Sequence, residues 1–278
     1  MYQFFPVFLK HALLFALLCL GGLEKSYAQT RAIDSLKAVG NSKEGIAQFD
    51  ILYDLAFEYI AVNDFDQTLK TLKEAHGVAE RYGDSLRMVK SLRVRGQILW
   101  RLNRSNESIP ELTSALSVAK RNGFEEEHKS ILNVLAVAYT LIANYDQALE
   151  YHFQALALRE RSGQHNSIAE SLNNIGLVYS KMRNYGKALE FYYQALEHDR
   201  KVNGSNMRDD LLINIGLCHN QIGNFKEARK VFYDAISYCE PSCTQLTFIT
   251  SQFGLGVSYY GQKSYREAKD HFDESYKR

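Results

Sequence analysis

The chain has 278 residues, of which 33 are Lys or Arg and 32 are Asp or Glu, so its formal charge is only +1. That balance excludes the strongly basic field with which nucleic-acid binders meet phosphate. Hydrophobic residues are 46% of the sequence, enough for a buried core and too many for a disordered chain, and only 3 prolines interrupt what can be long helices.

The first 28 residues read as a leader. Lys10 and His11 precede an apolar run from Ala12 to Leu20; Gly21 and Gly22 follow, then Ser26-Tyr27-Ala28. A short apolar run closed by small residues is the pattern of a secretory signal, with cleavage after Ala28. An uncleaved anchor starting near Phe4 is the alternative, but Pro6, Lys10 and His11 interrupt it. Cleavage leaves equal numbers of basic and acidic residues, and no later apolar run is of membrane length. The expectation is a periplasmic or extracellular protein with no membrane span in residues 29–278. Of its cysteines, Cys239 and Cys243 flank a connection; we expect two unpaired thiols there, with a local disulfide as the alternative.

Residues 29–45 read as a capping helix with Ile33, Leu36 and Val39 on its apolar side. From residue 46 the chain repeats. Ala56, Gly96, Ala136, Gly176, Gly216 and Gly256 form a row of small residues at a constant spacing. A second row, Thr68, Ser108, Ala148, Ala188, Ala228 and Ala268, keeps step with it, followed by Leu72, Leu112, His152, Tyr192, Phe232 and Phe272. Leu172, Ile175, Gly176 and Tyr179 share one face of a helix; Ala188, Tyr192 and Ala195 share one face of another. Small residues let two helices approach, and large ones fill the space beside them. Asn144-Tyr145, Asn184-Tyr185 and Asn224-Phe225 fall between the helices, where Asn suits a turn or helix end.

This pattern resembles the tetratricopeptide repeat family, whose signature runs large-x-x-Leu-Gly-x-x-Tyr, then Ala-x-x-x-Phe, then Ala. Leu172 to Ala195 matches best, and the resemblance spans residues 46–278 in six copies, the last incomplete. It implies an all-α solenoid, a right-handed superhelix of six helical hairpins. The spacing is longer than the family's usual one, a type resembling arrays in exported sensor kinases, regulators and motor-cargo adaptors. Repeat two departs most: Arg95 replaces a core aliphatic, and its second helix is expected to begin late, at Ser108-Ile109-Pro110-Glu111, with capping-box spacing. At the other end, Tyr265, Ala268, Phe272 and Tyr276 keep the buried spacing, which suggests self-association or continuation through the last repeat.

Catalytic signatures are missing from the sequence. It holds no phosphate-cradling Gly-rich loop, no HExxH, no nucleophile elbow and no paired CxxC, and its histidines are scattered. We expect neither enzyme activity nor a cofactor or metal. The resemblance implies that first helices line a groove for a peptide or protein partner. Its candidate lining is Tyr53 and Phe57 in repeat one, Lys90, Arg93, Gln97, Trp100 and Arg101 in repeat two, and Asn133 and Asn173 in the next two. Tyr, Trp and Arg are the residues that most often anchor interfaces. Alternatively, Trp100 packs between repeats. A carboxylate clamp of the chaperone-binding kind is rejected, because Asn174 has the right type but its basic companions are absent. Two functions follow: a binding scaffold outside the cytoplasm, or the input region of a longer membrane-bound signalling protein.

Overall fold

The computed structural model describes residues 29–40, 43–202, 207–239 and 244–277, and the expected leader over 1–28 lies outside them. The described residues are helical, with no strand among them. After α1 (29–40) come six antiparallel pairs. They are α2 (Ile46–Ala61) with α3 (Phe65–Arg81), α4 (Ser85–Arg101) with α5 (Ser105–Asn122), and α6 (Glu125–Leu141) with α7 (Tyr145–Ser162). Then follow α8 (His165–Lys181) with α9 (Tyr185–Asp199), α10 (Arg208–Gln221) with α11 (Phe225–Cys239), and α12 (Gln245–Gly261) with α13 (Tyr265–Tyr276). The fold is an all-α solenoid of helical hairpins. It divides into two compact units, 1–134 and 135–278, with the boundary inside α6.

Each hairpin turns on one residue in the left-handed region: Asn63, Asn103, Ala143, Arg183, Gly223 and Lys263, with φ between 58° and 78°. In three hairpins the side chain of the next residue caps the second helix. Asp64, Asn144 and Asn184 accept hydrogen bonds from the backbone N–H groups of Gln67, Gln147 and Lys187, satisfying a donor the helix cannot.

In the first unit, Ile33 and Leu36 of α1 pack on Leu55 and Tyr59 of α2. Val39, expected on the same apolar side, is 40% exposed. Ala56 and Leu72 are buried together with Val94 of the next hairpin. Gly96 lies so close to Leu112 that a Cβ there would sit 2.5 Å from the leucine side chain.

The second helix of repeat two does not begin at Ser108 as expected. Helix α5 starts at Ser105 and carries Pro110 inside it. Ser108 is not its cap: it is fully buried, and its Oγ donates to the Gly96 carbonyl at 2.9 Å. A hydroxyl in the small row thus reaches across the close contact that Gly96 permits. Arg95, in a row that elsewhere is aliphatic, stays partly buried by pairing with Glu111 at 2.7 Å.

In the second unit the small row meets aromatics. Tyr192 and Phe232 are buried opposite Gly176 and Gly216. Tyr192 joins Ile175, Ala188, Leu211 and Ile215 in one core cluster. Ala268 is buried, but Tyr265 and Tyr276 are 58% and 85% exposed, so the buried spacing of the last helix is only partly realised. Cys239 is disulfide-bonded, not the free thiol expected; Cys243 lies outside the described residues. Among the described cysteines Cys218 is free and buried.

Candidate functional site

Helical phase decides which first-helix residues can meet a partner. Positions one residue after the small row and three before it escape the inter-helix contact. In the first unit, Phe57 is 46% exposed while Tyr53 is half-buried. Phe49 stacks on Tyr53 with ring centroids 5.4 Å apart, and Tyr53 meets Phe57 edge-on at 5.1 Å. The aromatic ladder therefore runs from the buried Phe49 out to solvent. Burial pushes the Tyr53 hydroxyl above its usual range, opposed by the charge of Arg93.

Arg93 is not an idle cation. Its Nε donates to Glu127 Oε2 at 2.6 Å, and a terminal nitrogen donates to Gln97 Oε1 at 3.3 Å. Arg93, Gln97 and Glu127 thus form one hydrogen-bonded chain from α4 to the start of α6. Sequence reasoning missed Glu127. The available signal was the acidic run Glu125-Glu126-Glu127 opening the hairpin after a basic helix. Lys90 is half-buried and Arg101 exposed. The Arg101 guanidinium lies 5.8 Å from the Trp100 ring centre, within cation–π range. Trp100 is half-buried, and its indole N–H is buried without a hydrogen-bond partner. Asn133, near the end of this unit, is half-buried.

In the second unit, Asn173 is half-buried and its Oδ1 accepts a hydrogen bond from the Asn214 amide at 3.1 Å. Leu177 and Leu217, in the position after the small row, are 37% and 38% exposed. Ile213, three residues before Gly216 in the small row, is buried instead. Phe253, which occupies the position of Asn173 two repeats on, is 49% exposed and leans on Phe272 at 5.4 Å. The structure thus brings together amides and apolar side chains in this unit, and an aromatic–basic cluster in the other. Among the described residues no group of three or more His, Cys, Asp and Glu side chains could hold a metal ion. No described helix is long and apolar enough to cross a membrane.

Residues 129–201 match one family profile described as Tetratricopeptide repeat, and residues 209–241 match a second of the same description. Over these two stretches the chain carries tetratricopeptide repeats. These matches run from the start of α6 to α11, whose buried faces carry the signature residues. No curated protein matches the sequence. Solved structures do. A signal-transduction ATPase with numerous domains and a tetratricopeptide repeat sensor, from Pyrococcus horikoshii, aligns with TM-score 0.76 at 16% identity, covering 89% of this chain and 39% of that protein. The apo quorum sensor NprR from B. thuringiensis aligns with TM-score 0.66 at 17% identity, over 96% of this chain and 75% of its own. A Rap protein complexed with Competence and Sporulation Factor aligns with TM-score 0.66 at 12% identity, over 87% and 78%. At these identities the likeness is one of fold.

Proposed function

We propose that this tetratricopeptide-repeat chain is a non-catalytic scaffold that binds an extended peptide or protein segment along its first helices, outside the cytoplasm. The observation that carries the reading is the pairing of Asn173 with Asn214 beside the exposed Leu177 and Leu217. A carboxamide is both donor and acceptor, so it can answer the N–H and C=O groups of an extended backbone. The adjacent leucines then offer apolar contact to alternate side chains. In the first unit, taken by itself, Phe57, Trp100 and Arg101 offer aromatic and cationic side chains of the kind that concentrate binding energy in other interfaces. The Rap protein seen with its factor supports the use of such a fold for binding a separate molecule. The export leader supports the location.

A second reading takes its motive from the ATPase whose repeats form a sensor. In it, the same binding face belongs to the input region of a longer membrane-bound histidine kinase or transcription regulator.

The test is to pan a displayed library of extended peptides against the purified chain and titrate the winners by calorimetry. Binding that is lost in Asn173→Ala and Leu177→Asp supports the scaffold. Binding indifferent to both overturns this site. N-terminal sequencing of the cell-derived protein tests export, since a cytoplasmic, uncleaved chain contradicts it.

A further inference from the structure

Two histidines far apart in sequence meet at the open end of the α8–α9 hairpin. His165 is the first residue of α8, and His198 lies in the last turn of α9. Antiparallel packing brings these two ends side by side. Their Nδ1 atoms are 3.0 Å apart, with ring centroids at 5.1 Å and planes inclined by 56°. Both residues are half-buried, so their rings are held yet reachable from solvent. The preceding hairpin has Glu125 and Leu158 at the equivalent positions and lacks the pair.

Two imidazole nitrogens in hydrogen-bond contact have a limited chemistry. In the metal-free protein one must donate and the other accept, which fixes opposite tautomers. The same separation, after a small turn of the rings, also spans a shared cation. An imidazole nitrogen binds a divalent transition ion at about 2.0–2.1 Å. Two such nitrogens are then about 2.9 Å apart across a right angle and about 3.4 Å apart at the tetrahedral angle, by the same bond length. The separation of 3.0 Å fits adjacent corners of a square-planar or octahedral ion better than a tetrahedral zinc site. Calcium and magnesium require oxygen ligands, which this pair does not offer.

We propose that His165 and His198 form a two-imidazole site for copper(II), with water in the remaining positions. Copper(II) prefers square-planar nitrogen ligation and stands highest among the divalent ions for such ligands. Binding requires the donating ring to move its proton from Nδ1 to Nε2, a tautomer change without net loss of charge. The carboxylates of Glu197 and Glu160 act on the His198 ring and favour a bound cation there, against the opposing charge of Lys201. Once occupied, the site ties the start of α8 to the end of α9.

The experiment titrates copper(II) into the chelator-stripped full chain and into His165→Gln and His198→Gln, with paramagnetic resonance spectra at each stage. The expected result is one copper(II) per chain with two imidazole nitrogens in its spectrum. Either substitution is expected to weaken binding about 10-fold or more, because one of only two protein ligands is gone. Copper should raise the melting temperature of the wild type and leave both variants unmoved. A wild-type spectrum with a single imidazole donor or none overturns the proposal, even if a variant fails to fold. So does unchanged affinity in two folded variants, which would leave the 3.0 Å contact a simple hydrogen bond.

Discussion

A Cβ placed on Gly176 would lie 2.6 Å from Cε1 of Tyr192, closer than carbon atoms approach without displacement. The two residues are therefore fitted to each other: the aromatic fills the space that the missing side chain leaves. Tyr192 is 1% exposed and anchors the core of its hairpin, so it has nowhere to swing. Gly176→Leu should destabilise the chain by about 2–4 kcal/mol, the cost of overpacking plus induced strain. Urea unfolding of the variant checks this, and an unchanged midpoint would mean that the contact is loose.

The left-handed turn residues give the opposite kind of prediction. Ala143 has φ 58°, a region its Cβ disfavours and one that Gly223 fills without strain at the same place in its own hairpin. Ala143→Gly should stabilise by about 0.5–1 kcal/mol, the relief of strain exceeding the added freedom of the unfolded chain. Thermal unfolding would detect the rise. A fall in melting temperature would show that unfolded-state entropy dominates.

His152 occupies the position of Tyr192 and Phe232 but is polar. It is 2% exposed and its Nδ1 has no hydrogen-bond partner. Burial, then the charge of Arg159, lowers its pKa to about 4. The unfolded chain takes up a proton near the ordinary histidine value of about 6.5, before the folded chain does. Stability is therefore full above about pH 6.5 and falls as the pH drops toward 4, by roughly 2–4 kcal/mol in all. His152→Leu, with Ala136 opposite as Ala56 is opposite Leu72, should flatten that slope. Melting temperatures of the two proteins at pH 7 and pH 4.5 decide it; equal slopes would assign the acid sensitivity elsewhere.

Repeat two shows where sequence reasoning reached and where it stopped. The small row, the hairpins and the Asn144 and Asn184 caps were legible because they depend on spacing along one chain. The start of α5 was not, because Ser108 looked like a cap while its real partner, the Gly96 carbonyl, belongs to another helix. The pairs Arg95–Glu111, Arg93–Glu127 and His165–His198 were illegible for the same reason. Each depends on how two helices are rotated against one another, which periodicity does not specify. For Arg95 and Glu111 this has a measurable consequence. Arg95 Nε and Glu111 Oε2 are buried without partners, so the pair is incompletely satisfied. Replacing either residue alone by Leu should cost about 1–3 kcal/mol, whereas the double substitution to Leu should be neutral or stabilising, as for buried ion pairs generally. A double-mutant cycle by urea unfolding checks this; additive losses would show no coupling.

Trp100 separates binding from folding. Its ring is half-buried, its indole N–H lacks a partner, and the Arg101 guanidinium lies over it. An unanswered donor is poorly explained by core packing, since buried indoles usually find an acceptor. The buried donor is closed to a partner, and what α4 offers is the half-buried ring beside Arg101. Trp100→Ala should therefore weaken peptide binding by about 10-fold or more, as interface anchors do, while costing less in stability than a wholly buried aromatic. Trp100→Phe keeps most of the ring and removes the buried, unanswered donor, so it should retain both stability and most of the affinity. Calorimetric titration with a selected peptide, beside thermal unfolding of both variants, distinguishes the roles. A large drop in melting temperature with unchanged affinity would place Trp100 in the core and move the binding face away from α4.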